Sequence, residues 1–180
     1  MGYKYIRTYT GKEFYPMDPQ PEAIDIRDIA HALSMVCRGN GHVNRFFSVA
    51  QHCINCALEA EARGLSQRLI MACLIHDASE AYMSDVPRPF KQFLGEYLQQ
   101  EEHLLEVVYG KFLGSPLNEE EQKTLKQIDD DLLYYDLREL LDEPMEGPEP
   151  EIHIEINYDF VLFEEVEQRY LELYEKWRVL

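Results

Sequence analysis

The dipeptide His76-Asp77 lies in the middle of an almost wholly apolar stretch, residues 68–82, and this placement restricts the chain more than any other feature. A helix that is apolar on nearly every side is buried in a protein core. An ionised carboxylate in such a helix is costly unless a cation or strong hydrogen-bond donors meet it. Asp77 therefore needs a partner, and a divalent metal ion held jointly with His76 is the simplest candidate.

Length and composition indicate a soluble globular chain with a real core. The 180 residues favour a single domain, 1–180, and the hydrophobic content is 46%. The sequence contains no run of about 18 apolar residues, so no membrane span is expected. The N-terminus lacks the apolar core of a signal peptide, so a cytoplasmic location is expected. The formal charge of −17 argues against a nucleic-acid polymer as partner, although local cations could still bind a small anion.

The four cysteines, Cys37, Cys53, Cys56 and Cys73, predict small reduced thiols rather than disulfides. Cys53 and Cys56 are three residues apart on a predicted helix with apolar neighbours. A zinc knuckle would need a second close pair of cysteines or histidines, and the sequence has none.

Helical patterns dominate the chain. Apolar spacing and capping residues predict helices over 26–37, from Ser48 to about 63, over 66–82, over 90–113, from Asn118 to about 141, and over 158–177. Residues 3–16 predict a small hairpin or extended arm, and the alternation of Ile152, Ile154 and Ile156 predicts a short strand that pairs with it. The expected fold is an all-α helical bundle with a minor β appendage.

Helical phase selects two further metal ligands. His52 lies on the apolar side of the helix that begins at Ser48, so its imidazole is expected to point inward. On the helix after Asn118, Asp129 falls about 40° from Leu125 and thus on the buried face. Asp136 returns to that face as a weaker candidate, whereas Asp130 and Asp131 are expected to be solvated. The predicted ligands are His52, His76, Asp77 and Asp129.

Acidic and basic residues near this centre suggest catalytic and binding roles. Glu80 is expected to share a helix face with His76 and Asp77 and could act as general base. Asp85 could position the nucleophile or protonate a leaving oxygen, or could simply cap a loop. For phosphate binding Arg38 is the first candidate, because a guanidinium clamps phosphate oxygens at two points. The secondary candidates are Arg45, Arg88 and Lys91.

Together these residues resemble the HD-domain metal-dependent phosphohydrolases, an all-helical superfamily. The resemblance rests on His52 in the segment 48–52, on the His76-Asp77 doublet, and on Asp129 at the start of 129–133. It extends to the short 5'-deoxyribonucleotidase-like branch through the segments 28–34, 76–82 and 85–91. It covers roughly residues 6–140. Many relatives carry an aromatic residue directly after the loop arginine, where this chain has Gly39.

The resemblance implies hydrolysis of the phosphate ester of small nucleotides, namely 5'-(deoxy)nucleoside monophosphates. It implies one divalent ion, Mn, Co, Fe, Ni, Zn or Mg, and assigns phosphate and the attacking water to Arg38, Glu80 and Asp85. Three alternatives stay open: a dNTP triphosphohydrolase, a non-catalytic nucleotide- or metal-binding regulator, and a metal-free helical interaction module. The sequence leaves the oligomeric state undecided, with a homodimer through the Tyr-rich last helix as one option.

Overall fold

The structure, a computed structural model, describes residues 4–178 and is mostly helical. A two-stranded antiparallel hairpin, β1 (Ile6–Arg7) and β2 (Glu13–Phe14), precedes the helices. The helices are α1 (Ile26–Met35), α2 (Val49–Ala62), α3 (Gln67–Ile75), α4 (Glu80–Met83), α5 (Arg88–Lys91), α6 (Gly95–Leu113), α7 (Glu119–Leu141) and α8 (Phe163–Trp177). The predicted all-α bundle with a small N-terminal hairpin is confirmed.

Two capping boxes fix the starts of the helices that carry the candidate site. The Ser48 side chain accepts a hydrogen bond from the Gln51 backbone while the Gln51 side chain accepts one from Ser48, and Asn118 and Glu121 do the same at α7. Such reciprocal bonds satisfy backbone N–H groups that have no partner within the helix. Both helix starts are therefore where the sequence predicts them.

The buried stretch 66–82 is not one helix, contrary to expectation. Helix α3 ends at Ile75, and α4 begins only at Glu80. Between them the backbone forms turns with hydrogen bonds between residues three apart: Ala78 N–H donates to the Ile75 carbonyl, and Glu80 N–H donates to the Asp77 carbonyl. No Gly or Pro marks this break in the sequence. The turn places His76 and Asp77 at the C-terminal end of α3, where their side chains reach the neighbouring helices.

The strand predicted over 152–156 is not formed, because within residues 4–178 the hairpin pairs only with itself. Ile152, Ile154 and Ile156 instead pack, half-buried, against the hydrophobic core. The predicted helix over 90–113 is divided into α5 and α6, and the last helix begins at Phe163 rather than at 158.

One cluster of buried side chains lies among α1, α2, α3, α6, α7 and α8, where α2 and α3 make the most extensive packing. Fully buried members include Ile29, Leu33, Leu74, Leu132 and Tyr170. The Tyr170 hydroxyl donates to the Leu74 carbonyl, 2.6 Å away, and so fixes α8 against α3. The candidate site lies at one margin of this core. Along residues 4–178 no helix is both long and apolar enough to cross a bilayer.

Candidate metal centre and adjoining cleft

Three parts of the fold bring the four predicted ligands together. His52 comes from the first turn of α2, His76 and Asp77 from the turn after α3, and Asp129 from the middle of α7. The His52 and His76 rings lie 5.4 Å apart, centroid to centroid. Because these elements are far apart in sequence, their convergence depends on the packing of α2 and α7 against α3.

The His76 ring presents a bare nitrogen lone pair to the centre. Its Nδ1 lies 2.8 Å from the Cys73 carbonyl oxygen, which can only accept, so Nδ1 carries the proton. Its Nε2 is then the acceptor in the neutral ring. This atom is buried and, within residues 4–178, receives no hydrogen bond. A buried nitrogen without a donor is the arrangement expected of a metal ligand.

His52 is oriented in the same way by a carboxylate. Its Nδ1 lies 2.8 Å from Asp136 Oδ2 and donates to it, since an ionised carboxylate only accepts. Its Nε2 is turned toward the centre, 3.0 Å from Asp129 Oδ1. The Asp136 carboxylate is itself held by the Tyr158 hydroxyl at 3.0 Å and by Arg38 at 3.4 Å. A histidine supported by a carboxylate in this way is typical of metal sites.

The atoms that meet at the centre are all acceptors when both rings are neutral. Asp129 Oδ1 lies 3.8 Å from His76 Nε2, and Asp77 Oδ2 lies 3.3 Å from the same nitrogen. Two imidazole lone pairs and two carboxylate oxygens at these distances repel one another unless positive charge lies between them. Arg88 lies 2.6 Å from Asp129 and Arg38 lies 3.6 Å from Asp77, but no donor reaches His76 Nε2 within residues 4–178. A divalent metal or an added proton could supply positive charge at that nitrogen.

The pKa values of both histidines are raised, so the protonated, positively charged forms are favoured at this centre. Burial lowers the pKa of His76, but the charge of Asp77 together with Cys53 and Asp129 outweighs it, and the pKa stands well above the ordinary histidine value. For His52, burial and Arg38 lower the pKa, yet hydrogen bonds to Asp129 and Asp136 help to raise it well above the usual range. Burial raises the pKa of Asp129, whereas the two histidines lower it and prevail. Without a metal, protons take the place of the cation.

A cleft of about 590 Å³ opens beside the centre, and Asp77 and Asp129 contribute to its wall. Arg38 lies at this wall with its guanidinium 3.6 Å from Asp77 and 3.4 Å from Asp136. It is thus fixed at the base of the cleft, on the 3₁₀ turn Arg38–Gly41. A fixed guanidinium beside a candidate metal is well placed to bind phosphate oxygens.

Of the other three predicted phosphate-binding cations, two line the cleft and one does not. Lys91 lines the cleft and pairs with the buried Glu101 at 2.7 Å, and Arg88 lines it while bonded to Asp129 and Asp130 at 2.6 and 2.8 Å. Arg45 is exposed, bonds the Asn44 side chain, and is absent from the cleft wall. The structure does not bring Arg45 to the site: Val43 of the same loop lines the cleft, whereas the Arg45 side chain lies exposed against Asn44.

The two predicted catalytic carboxyls both face the cleft. Burial, together with Asp77 and Asp85, raises the pKa of Glu80 well above the ordinary value, and its Oε2 has no hydrogen-bond partner in the described chain. Burial also raises the pKa of Asp85, which Arg38 and the Gly39 backbone partly offset. Carboxyls with raised pKa values can hold and release a proton near neutrality, as general acid–base groups must.

The far wall of the cleft is apolar. It consists mainly of aliphatic side chains from α7 and the loop before α2, namely Val43, Leu133, Leu137, Leu140 and Leu141. The cleft thus has a charged end at the candidate metal centre and a hydrophobic end beyond it. This division suits a ligand that carries an anionic group on a flat or apolar body.

Two expectations about the aspartates of α7 are wrong. Asp131 is buried rather than solvated, because Arg63, directly after α2, donates to it at 2.9 Å. Asp136 is more buried than Asp129, with 5% against 18% of the side chain exposed. Phase along one helix locates Asp136 on the inner face but cannot reveal that Arg63 reaches around to Asp131. Asp130, which pairs with Lys126 and Arg88, is 41% exposed as expected.

Two buried thiols adjoin the centre, a role that the sequence reasoning did not assign to them. Cys53, Cys56 and Cys73 are buried and free, as predicted, and Cys37 is half-buried. The ligand atoms of His52, Cys56 and His76 lie within 4.8 Å of one another, as do those of Cys53, His76 and Asp77. The available signal was the four-residue spacing of His52 and Cys56, which puts both side chains on one helix face. These buried groups could hold a metal ion.

Comparison with known proteins identifies relatives but not an activity. No protein-family model matches the chain. It is 39% identical over 108 residues to the uncharacterized protein YfdR of Escherichia coli K12, covering 60% of this chain and 58% of YfdR. It is 35% identical over 111 residues to an uncharacterized protein of Rhodobacter capsulatus, covering 59% of this chain and 57% of that relative. The match therefore spans less than two thirds of either relative.

Proposed function

We propose that this protein is a metal-dependent phosphohydrolase of the HD-domain type that removes phosphate from 5'-(deoxy)nucleoside monophosphates. The observation that carries the proposal is the convergence of His52, His76, Asp77 and Asp129 beside a cleft lined by Arg38, with the buried His76 Nε2 left without a hydrogen bond within residues 4–178. The nearest arginines, Arg38 at 3.6 Å from Asp77 and Arg88 at 2.6 Å from Asp129, contact the carboxylates and leave that nitrogen unsatisfied.

The donor set fits a divalent transition metal. Two imidazoles and two carboxylates are ligands that Mn, Fe, Co, Ni and Zn accept, and Ca prefers oxygen alone. When bound, such an ion lowers the pKa of water to near neutrality and offsets charge on a phosphoryl oxygen. The supporting bonds from the Cys73 carbonyl and from Asp136 hold both rings in the tautomer that ligation requires.

The chain's own residues account for the rest of a phosphomonoester hydrolysis. Arg38 binds the phosphate oxygens at the charged end of the cleft, with Lys91 and Arg88 at its margin. In the reaction a bond forms from a water oxygen to phosphorus, and the bond from phosphorus to the 5' oxygen breaks. Glu80 takes the water proton at its free Oε2 when its carboxyl is ionised, a state that the charges of Arg38 and Lys91 favour. Asp85 supplies a proton to the departing 5' oxygen, as its raised pKa allows.

The nucleoside occupies the apolar part of the cleft. Leu133, Leu137 and Leu141 follow one another along one face of α7 and offer a hydrophobic surface to a base or sugar. The net charge of −17 favours this reading over a nucleic-acid polymer, because the cations of the site are few and local. A nucleoside triphosphate would need more cations than the three that line the cleft.

The test is a phosphate-release assay on a panel of ribo- and deoxynucleoside mono- and triphosphates with Mn²⁺ or Co²⁺. We expect phosphate from monophosphates, and a loss of at least about 10³-fold in His76→Ala and Asp77→Ala, the order of effect seen when such groups are removed. His103→Ala is the matched control, since His103 is exposed on α6. Release of tripolyphosphate would indicate the triphosphohydrolase instead. Metal binding without turnover on any substrate would overturn the proposal.

A further inference from the structure

We propose that Cys56 provides a thiolate ligand at this centre and makes it selective for thiophilic divalent ions, such as Co²⁺, Zn²⁺ and Cd²⁺, over Mn²⁺ and Mg²⁺. The inference rests on the metal centre of the proposed function, but it concerns which ion the centre prefers. Four ligands from nitrogen and oxygen alone would leave the site open to any transition ion. A sulfur ligand narrows that choice.

The position of Cys56 supports direct ligation. It follows His52 by four residues on α2, so the two side chains project from the same face, one turn apart. Cys56 Sγ lies 3.4 Å from His52 Nε2, the nitrogen that faces the centre. The side chain is 1% exposed. The thiol is therefore inside the group of acceptors and closed off from solvent.

A second observation points to an ion at the same place. His76 Nε2 is buried, is aimed at the centre, and receives no hydrogen bond within residues 4–178. It belongs with His52 Nε2 and Cys56 Sγ to a set of atoms that lie within 4.8 Å of one another. When a sulfur and an imidazole nitrogen bind one ion through bonds of about 2.3 and 2.1 Å at an angle of about 90° to 109°, they lie about 3.1 to 3.6 Å apart. The 3.4 Å distance found here lies within that range.

Cys53 is the competing sulfur, and its geometry is less favourable. Its ligand group contains His76 and Asp77 but not His52. Because it follows His52 by one residue, its side chain projects about 100° around α2 from that of His52. Only Cys56 joins both imidazoles. When the bond from sulfur to metal forms, the thiol proton is released to solvent, so binding of a thiophilic ion liberates one proton more than a site without the thiol would.

Cobalt spectroscopy of the full chain tests the assignment. Co²⁺ is added to protein freed of metal by a chelator, and the near-ultraviolet band that arises from charge transfer between thiolate sulfur and cobalt is recorded. We expect the band in the unchanged protein and in Cys37→Ser, whose thiol is outside both ligand groups, and its loss in Cys56→Ser and Cys56→Ala. The visible cobalt bands should persist in both Cys56 variants, because four ligands remain.

The cobalt spectrum of the unchanged protein is sufficient to contradict the inference. The test therefore remains decisive even if a Cys56 variant fails to fold. Visible cobalt bands without the sulfur band would remove Cys56 from the centre while leaving the phosphohydrolase proposal intact. Loss of the sulfur band in Cys53→Ser rather than in Cys56→Ser would show that Cys53 is the thiolate ligand and would contradict the inference. Failure of the protein to bind cobalt at all would remove the metal centre and both proposals with it.

Metal competition provides the measure of selectivity. We expect Cys56→Ser to weaken Cd²⁺ binding by at least about tenfold, the lower end of what loss of a supporting group costs. Mn²⁺ binding should change by less than about threefold, because manganese prefers oxygen and nitrogen. Equal weakening for both ions would mean that Cys56 acts through packing alone and would contradict the inference.

Discussion

Asp136 sets the direction in which His52 presents its lone pair. Its Oδ2 accepts from His52 Nδ1 at 2.8 Å, while Tyr158 and Arg38 hold the carboxylate in place. The hydrogen bond fixes the ring and, through its negative charge, makes Nε2 a better donor to a metal. Hydrogen bonds to His52 help to keep the pKa of Asp136 below its usual range despite burial, so the carboxylate stays ionised.

We expect Asp136→Asn to reduce affinity for Mn²⁺ or Co²⁺ by about 10- to 100-fold, because an amide oxygen accepts the same bond without the charge. Competition with a chelating dye measures the change. Asp130→Asn is the control on the same helix, since Asp130 is 41% exposed and faces Lys126. Equal affinity for the Asp136 variant and the unchanged protein would mean that His52 needs no carboxylate to bind metal.

Single residues were predictable from the sequence where burial conflicts with charge. His76 and Asp77 stand out because the apolar stretch around them excludes an unpaired carboxylate. Asp129 follows from helical phase. The contribution of Cys56 does not stand out, because a buried thiol is ordinary in a reduced protein. The burial of Asp131 could not be inferred, because its partner Arg63 lies directly after another helix.

At the level of elements, one buried glutamate fastens an irregular segment to the bundle. Glu59 of α2 accepts from the His153 backbone at 2.8 Å, from His153 Nδ1 at 2.9 Å and from Arg63 at 2.7 Å, and is itself fully buried. These hydrogen bonds, called the Glu59 clasp below, hold residues 151–153 so that Ile152 and Ile154 pack on the core. The alternation that predicts a strand therefore arises from an extended segment lying on helices, without strand pairing.

The Glu59 clasp predicts a pH dependence of stability. Burial would raise the pKa of Glu59, but the bonds from His153 and Arg63 hold it below the ordinary value of 4.5. A carboxyl with a lowered pKa in the folded state stabilises fully above the unfolded value, and the contribution is lost as pH falls through the folded value. We expect Glu59→Gln to lower the free energy of unfolding by about 2 kcal/mol at pH 7, where three bonds to a charged group are weakened.

Urea unfolding between pH 7 and pH 3.5 measures this effect. The deficit of Glu59→Gln against the unchanged protein should shrink as pH falls below 4.5, because the unfolded chain then takes up a proton at Glu59 that the folded protein binds only below its lowered pKa. Glu61→Gln is the neighbouring control, since Glu61 binds Lys176 on the surface and is 39% exposed. A deficit that stays constant with pH would mean that Glu59 stabilises through packing rather than through its charge.

Helix boundaries were predictable where the sequence carries local signals and not elsewhere. The capping boxes at Ser48 and Asn118 mark the starts of α2 and α7 correctly. The break between α3 and α4 has no such mark, because the residues from 76 to 79 contain neither Gly nor Pro. At this turn His76 Nε2 lies 3.8 Å from Asp129, and the His76 ring centroid lies 5.4 Å from that of His52. Local propensity cannot report a bend that depends on contacts with α2 and α7.

The whole molecule combines an excess of negative charge with a centre that lacks positive charge. The formal charge of −17 opposes the compact state through self-repulsion, and the converging acceptors at the base of the cleft add a local cost. A bound divalent ion relieves the local part directly. Added protons also relieve it, as the raised histidine pKa values indicate, and the imidazoles lose those protons as pH rises. Metal and protons therefore compete for the same place.

Removal of metal should accordingly destabilise the protein, and more so as pH rises. With free metal at 100 times its dissociation constant, mass action adds about 2.7 kcal/mol to the free energy of unfolding. We expect a chelator to lower the melting temperature at pH 8, and Mn²⁺ or Co²⁺ to restore it. The shift should be smaller at pH 6, where protons occupy the two imidazoles and compete with the ion.

Variants locate the origin of that shift. In His76→Ala the metal-dependent rise in melting temperature should disappear, because the centre loses the nitrogen that no hydrogen bond satisfies within residues 4–178. In His103→Ala, on the exposed face of α6, the rise should be unchanged. A chelator that leaves the melting temperature of the unchanged protein untouched at both pH values would mean that protons alone neutralise the acceptors. The centre would then be a protonated ion-pair network with no role for metal in the fold.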